Sequence, residues 1–170
     1  MLLTHEIAID APVSTGPTFF AAMDENYLRW HPDHLLFEWR QGRGLETGVR
    51  FYFEERIGGR LLKKEVVFIE IVPDRLIRFV PTGFLLRLFI PWIAFEFLAD
   101  GPAHFRFRQS IPVRIGPLGA RLNRRDFDAV RRHMAEEGEN LKAILETGRP
   151  VHVRPDSIPA EAVAEAAPGR

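Results

Sequence analysis

Turn signals divide most of the chain into short, closely spaced segments that follow a strand pattern. Residues 2–9 alternate apolar and polar side chains with a period of two, which is typical of a half-buried strand. Gly58-Gly59 separates two further apolar-rich segments and is a strong hairpin signature. The other predicted strands are Leu35–Arg40, Val49–Ile57, Arg60–Val72, Arg75–Val80, Trp92–Ala99 and Ala103–Val113. Connections this short restrict the chain to an antiparallel meander.

One long amphipathic helix follows the strands. We predict it from about Asn123 to Thr147, because Gly148 and Pro150 end the pattern there. Its apolar stripe, with steps of three, four and seven residues, consists of Phe127, Val130, Met134, Leu141 and Ile144. Between the first two strands, residues 17–23 predict a short helix and residues 24–34 a helix that passes into a loop.

This order of elements predicts the fold class. A curved antiparallel sheet exposes one apolar face, and a single long helix can cover that face. We therefore expect an α+β helix-grip fold, with a curved antiparallel sheet wrapped around the long C-terminal helix and two short helices after the first strand. Sheet curvature leaves more space than one helix fills, so a ligand cavity is expected between them.

Chain length and composition favour one domain. The chain has 170 residues, which suits a single core. We expect a helix-grip domain over residues 1–148, followed by a flexible C-terminal tail over residues 149–170, which is rich in Ala, Glu and Pro. There are no cysteines, which excludes disulfides and thiolate metal sites.

Charge and hydropathy limit the classes of partner that we expect the protein to bind. With 23 basic and 23 acidic residues the formal charge is zero, so we expect no nucleic-acid binding. The longest apolar run, Phe84 to Phe95, contains Arg87 and Pro91 and falls short of the ~20 residues of a membrane span. The N-terminal residues lack the layout of a secretory signal, so a cytoplasmic location is expected. A small hydrophobic or aromatic ligand is the expected partner, and the sequence permits a homodimer.

The long helix carries a candidate half of a metal site. His133 and Glu137 lie one turn apart, on or at the border of the face that should meet the sheet. A carboxylate on a buried face is costly unless it is paired or bound to a metal. The alternative is a narrow stripe that leaves Glu137 at its edge in water.

Upstream residues supply candidates for the other half. Glu65 shares the more aliphatic side of its predicted strand with Val67, Ile69 and Ile71, and Glu55 is the rival inward-facing acid. His31 and His34 flank a proline, and exposed loop histidines are the alternative for them. Two histidines with two carboxylates suit one divalent metal, for which Zn²⁺ is expected and Fe²⁺ or Mn²⁺ are alternatives.

Two motifs resemble those of the 2,4-diacetylphloroglucinol hydrolase and phloretin hydrolase family. They are Tyr27-Leu-Arg-Trp-His-Pro-Asp-His34, one residue shorter than the family pattern between the proline and the last histidine, and His133-Met-Ala-Glu-Glu137. The resemblance covers about residues 25–146 and implies a Bet v 1-like fold of the START/polyketide cyclase (SRPBCC) superfamily. It also implies the metal ligands His34, Glu65, His133 and Glu137, with His31 open as an alternative to His34 because of the missing residue.

The activity implied by the resemblance is metal-dependent hydrolysis of a carbon–carbon bond in an acylated phenolic compound. Tyr27 and His31 are the candidates for handling the proton in this reaction. The expected pocket walls are aromatic, from Phe51, Phe53, Trp92, Phe95 and Phe97, with residues 84–89 as a candidate lid. The alternatives are a non-enzymatic lipid or polyketide carrier and a metal-free polyketide cyclase, since one fold hosts several functions.

Overall fold

A seven-stranded antiparallel sheet forms the framework of the protein. A computed structural model describes residues 1–153, and the strands run in the order β1-β7-β6-β5-β4-β3-β2. Their bounds are β1 Leu2–Ile9, β2 His34–Gln41, β3 Arg50–Ile57, β4 Arg60–Val72, β5 Leu76–Pro81, β6 Ile93–Ala99 and β7 Phe105–Pro112. From β2 to β7 each strand pairs with the next, and β1 closes the far edge by pairing with β7. The predicted meander is confirmed.

Five helices accompany the sheet within residues 1–153. They are α1 Thr15–Ala21, α2 Met23–Trp30, α3 Phe84–Phe89, α4 Pro117–Leu122 and α5 Arg124–Thr147. Helix α5 ends where Gly148 adopts a φ of 80°, a left-handed conformation that favours glycine. The arrangement confirms the predicted helix-grip fold, with α1 and α2 after the first strand. None of the helices in residues 1–153 is both long and apolar enough to cross a membrane.

The core lies between the concave face of the sheet and α5. Its fully buried side chains include Ile9, Phe97, Phe105, Phe107 and Leu141. Register shifts in the β2–β3 and β4–β5 ladders interrupt regular pairing, and such irregularities bend strands. A bent sheet with one covering helix leaves space between the layers.

Two short helices were not assigned from sequence. Helix α3 occupies residues 84–89, the candidate lid, and α4 precedes the predicted start of the long helix. A backbone hydrogen bond of 2.8 Å from Arg114 N to Phe89 O joins the end of α3 to the segment before α4.

The start of the predicted tail is attached to α5. The Asn140 side chain accepts hydrogen bonds from the backbone amides of Val151 and His152, at 2.9 and 2.6 Å, and donates one to His152 O at 2.9 Å. The rest of the predicted tail, residues 154–170, lies outside the described residues.

Candidate metal centre beside an apolar cavity

Four buried side chains converge at one end of the core. His34 begins β2, Glu55 lies in β3, and His133 and Glu137 lie on successive turns of α5. Each offers one ligand atom, and these four atoms lie within 4.8 Å of one another. His34, His133 and Glu137 are therefore brought together as the resemblance implied, but the fourth member is Glu55.

Glu65 lies elsewhere, which corrects its prediction as a ligand. Val66 and Phe68 point into the core, so the alternation of β4 places Glu65 on the other face. Its side chain is 40% exposed, and its carboxylate lies 3.9 Å from Arg50 Nη1. Both faces of β4 are apolar, so the count of aliphatic neighbours indicated the wrong face.

Strand pairing brings Glu55 to the cluster. Glu55 alternates inward with Phe51 and Phe53, and its register partner in the β2–β3 ladder is His34. One Glu55 oxygen accepts a hydrogen bond of 2.6 Å from Lys64 Nζ, and the other lies 3.8 Å from His133 Nε2. Lys64 thus neutralises part of the buried charge while one oxygen still faces the cluster.

Close packing of α5 against β1 sets the position of the helix. A Cβ atom added at Gly138 would lie 2.7 Å from His5 Nε2, so the absence of a side chain allows the close approach. Trp30 Nε1 also donates a hydrogen bond of 2.9 Å to Glu137 O, which ties the end of α2 to the same turn. These contacts hold His133 and Glu137 toward the sheet.

The two nitrogens of His34 have different roles. Nδ1 lies 2.9 Å from Tyr27 O, and because a carbonyl oxygen only accepts, Nδ1 carries a proton. Nε2 of the neutral ring is then an acceptor, yet it lies 3.0 Å from Glu137 Oε1, another acceptor. A second proton or a shared cation makes this contact attractive. Metal-ligating histidines commonly donate their other N–H to a backbone carbonyl in this way.

Glu137 remains ionised throughout the neutral range. Burial raises its pKa, but the charges of His133, His34 and His31 and the His34 hydrogen bond outweigh burial and lower the pKa to about 2. Its second oxygen accepts a hydrogen bond of 2.8 Å from Gln109 Nε2. Gln109 therefore fixes the carboxylate while Oε1 faces the histidines.

The surroundings of His133 show whether a metal ion fits between the four side chains. Its Nε2 atom is buried without a hydrogen-bond partner among residues 1–153, and it lies 3.6 Å from Glu137 Oε1. Two ligand atoms bound to one tetrahedral Zn²⁺ at 2.0–2.1 Å are separated by about 3.3 Å. The cluster separations of 3.0, 3.6 and 3.8 Å bracket that value. The residues present fit a single divalent cation.

His31 is adjacent to the cluster, with partners for both nitrogens. Nδ1 accepts the Asp33 amide at 3.1 Å, so Nε2 carries the proton of the neutral ring and donates it to Glu136 at 3.1 Å. Burial, together with the charge of His133, lowers the pKa of His31. His31 forms a second close group with His34 and His133, but only His34 also belongs to the group that contains two carboxylates, which makes His34 the better-placed ligand. His31 connects the cluster to the half-exposed Glu136 carboxylate.

Tyr27 is buried against His34. The two rings stack with centroids 4.0 Å apart, and the hydroxyl donates to Glu54 O at 3.4 Å. Burial, followed by the negative charges of Glu55 and Glu137, raises the pKa of Tyr27. Tyr27 therefore keeps its proton, which favours hydrogen bonding over proton release.

An apolar cavity adjoins the cluster. It has a volume of about 410 Å³, and its wall includes Glu55, His133 and Glu137. The apolar part of the wall includes Phe51, Phe53, Phe79, Phe95 and, at α3, Leu86 and Phe89. Of the expected aromatic walls, Phe97 packs instead against Phe105 and Phe107, and Trp92 stacks on the Arg78 guanidinium.

Comparisons with known proteins place the fold. No family model matches the chain, and no curated protein matches it in sequence. Among solved structures, a START superfamily protein from Mycobacterium smegmatis aligns with a TM-score of 0.62 and 12% identity, over 85% of this chain and 97% of that one. Norcoclaurine synthase from Thalictrum flavum aligns with a TM-score of 0.57 and 14% identity, over 80% of this chain and 94% of that one.

A third similar structure is the di-domain ARO/CYC protein BexL of the BE-7585A biosynthetic pathway. It aligns with a TM-score of 0.64 and 16% identity, over 85% of this chain and 47% of BexL. The TM-scores establish the fold. Sequence identities this low leave the specific hydrolase family unsupported. The protein has the START-like, Bet v 1-like helix-grip fold, with a buried His/Glu cluster that could hold a metal.

Proposed function

We propose that the protein binds a small aromatic or otherwise hydrophobic molecule in the cavity between the sheet and α5. The cavity carries this proposal, because its volume of about 410 Å³ falls within the usual range for small-molecule sites. Phenylalanine rings from five strands, β2 to β6, line it, and flat apolar walls suit an aromatic ligand.

Polar groups at one end of the cavity would orient the ligand. Glu55, Lys64, Gln109, His133 and Glu137 all contribute to the wall beside the apolar rings. A few convergent polar groups in an apolar cavity give a ligand one preferred orientation. A ligand oxygen would therefore face the cluster, with the hydrocarbon part toward α3.

Two of the similar structures support an aromatic ligand by analogy. BexL belongs to a biosynthetic pathway as an ARO/CYC protein, and norcoclaurine synthase was solved with dopamine and hydroxybenzaldehyde. Fold likeness alone does not transfer an activity.

Filling the cavity tests ligand binding. The fluorescent probe 1-anilinonaphthalene-8-sulfonate should bind the native protein, and Val130→Trp should weaken binding at least about tenfold because it occupies part of the cavity. Asp128→Trp is the matched control, since it adds the same ring to an exposed position on the same helix. Equal affinities of the two variants would contradict the proposal.

We further propose a divalent metal at His34, Glu55, His133 and Glu137. The buried Nε2 of His133, which has no hydrogen-bond partner in the described part of the chain, favours this second candidate function, a metal-dependent hydrolase. A bound Zn²⁺ would supply Lewis acidity toward a ligand oxygen. The reaction would break the bond between the ring and the acyl carbon, with water adding its oxygen to the acyl carbon and a proton going to the ring carbon.

The chain's own residues have defined parts in this reaction. Gln109 holds Glu137 in place, and the carboxylates of Glu55 and Glu137 would balance the metal's charge. Tyr27 lines the cavity, and its hydroxyl would donate to a ligand oxygen in place of its long hydrogen bond to Glu54 O. His31 is the candidate for moving a proton between the cluster and Glu136, its hydrogen-bond partner.

An acylphenol assay tests the enzymatic candidate. The protein purified without a His tag should release a carboxylic acid from a diacylated phloroglucinol, lose this activity on dialysis against a chelator, and regain it with Zn²⁺. Glu137→Gln should abolish the activity, whereas Glu65→Gln should retain it because Glu65 lies outside the cluster. If the fluorescent probe binds in the cavity but no acid is released, the protein has the binding role alone.

A further inference from the structure

Two short helices beside the cavity expose large apolar side chains. On α3 it comprises Phe84 and Leu85, 73% and 71% exposed, with Leu88 and Phe89 half exposed. On α4 it comprises Leu118 and Leu122, 71% and 76% exposed. We name these six side chains the mouth patch. Large apolar groups clustered in this way on a surface commonly mark an interaction site.

The mouth patch lies at the cavity. Leu86, Phe89 and Ile90 of the α3 segment line the cavity, as do Ile115 and Phe127 on either side of α4. The hydrogen bond from Arg114 N to Phe89 O holds the two segments together. A surface that contacts the mouth patch therefore lies next to the wall of the cavity.

Positive charge accompanies the apolar side chains. Arg87 lies on α3, Arg121 lies on α4, and neither helix contains an acidic residue. Among residues 1–153, Arg87 and Arg121 make no ion pair. Asp126, the first acid after α4, is paired with Arg60 at 2.8 Å. Each of these two helices thus carries one arginine, with no ion pair in residues 1–153, beside its exposed apolar side chains.

We propose that the mouth patch docks the protein on an anionic phospholipid bilayer. Phenylalanine and leucine side chains partition into the headgroup–acyl boundary, and arginines beside them pair with anionic headgroups. Six exposed apolar side chains beside arginines that no acidic residue of either helix neutralises suit an anionic lipid surface. When the protein is docked in this way, its cavity would take up a ligand from the bilayer. This role rests on the proposed ligand binding, whereas docking itself does not.

Vesicle sedimentation tests the docking. The full chain, with no ligand added, is mixed with vesicles of phosphatidylcholine alone or of phosphatidylcholine with 30% phosphatidylglycerol. We expect sedimentation with the anionic vesicles and roughly hundredfold weaker partitioning for Phe84→Ser/Leu85→Ser, because each of the two apolar side chains contributes about tenfold. Leu28→Ser is the control, since Leu28 is also exposed but lies on α2.

A second pair of variants tests the charge. Arg87→Gln/Arg121→Gln should weaken partitioning onto anionic vesicles roughly twentyfold, at about fivefold per arginine. Arg43→Gln/Arg149→Gln removes the same charge away from the mouth patch and should change partitioning little. Arg149 follows the far end of α5, about 36 Å along the helix axis from its start.

Three results would overturn the proposal. The first is no sedimentation with anionic vesicles, and the second is equal sedimentation of the mouth-patch and control variants. The third is a dimer, detected by light scattering without vesicle binding and lost in Phe84→Ser/Leu85→Ser, which would assign the mouth patch to a second copy of the chain. Because no ligand is present, failure of the cavity to bind a ligand would not alter any of these results.

Discussion

His34 and Glu55 face each other as register partners in the β2–β3 ladder, and both side chains are buried. Strand pairing therefore fixes half of the cluster, while one turn of α5 fixes the other half through His133 and Glu137. Two rigid elements thus position the four groups before any ligand binds. Sites supported in this way hold their geometry more closely than sites on loops.

Metal should stabilise the folded protein through His133. Zn²⁺ at one hundred times its Kd should add about 2.7 kcal/mol to the free energy of unfolding, because the assembled site exists only in the folded state. His133→Gln should remove this gain, and His152→Gln should keep it, because His152 pairs with Glu139 away from the cluster. Urea unfolding with and without Zn²⁺ measures the difference. A similar gain in both variants would exclude His133 as a ligand.

The ring of Tyr27 should contribute more to the free energy of unfolding than its hydroxyl does. Tyr27→Phe loses only the 3.4 Å hydrogen bond to Glu54 O and should cost less than about 1 kcal/mol. Tyr27→Ala removes the ring stacked on His34 and should cost about 3 to 5 kcal/mol, as for other buried aromatic truncations. Chemical denaturation of the two variants checks the order, and a larger loss for Tyr27→Phe would assign the hydroxyl the main role.

Asn140 should be a strong determinant of stability. Its side chain donates to Trp30 O and His152 O and accepts from the amides of Val151 and His152. Asn140→Ala removes all four bonds and should cost about 2 to 4 kcal/mol, since the buried carbonyl of Trp30 loses its partner. Asn26→Ala, which removes one bond to Phe19 O, should cost about 1 kcal/mol. Equal losses in urea unfolding would contradict this account.

Stability of the metal-free protein should fall as the pH drops below 6.5. The pKa of His31 is lowered from 6.5 in the folded state, so the unfolded chain binds more protons between the two values and acid favours unfolding. The contribution is fully present above 6.5 and is lost as the pH falls toward the folded-state pKa. Unfolding in a chelator at several pH values should show a shallower loss for His31→Gln, and identical pH profiles would rule out this contribution.

The sequence predicted the fold and three of the four cluster residues for identifiable reasons. Turn residues and a period of two determine the strands, and steps of three and four residues place His133 and Glu137 on one helix face. The family resemblance implies Glu65, and the strand pattern does not correct it, because β4 has apolar residues on both faces and its period of two does not indicate the inward side. The register that pairs Glu55 with His34 is a long-range property, which local pattern does not contain.

The sequence pattern did not predict helices α3 and α4, for a related reason. Each is six residues long, too short to show a repeated stripe, and α3 is rich in phenylalanine and leucine, which also suit strands. Their apolar residues lie at the surface beside the cavity rather than in the core. Hydrophobicity alone could not distinguish these two locations.

Metal content measured by elemental analysis tests the cluster most directly. The protein, purified without a His tag and equilibrated with Zn²⁺, should retain one metal ion per chain, and Glu65→Gln should retain the same amount. Glu55→Gln should retain little, because it removes a buried ligand from the group of four. Unchanged metal content in Glu55→Gln, or its loss in Glu65→Gln alone, would contradict the centre described by these four residues.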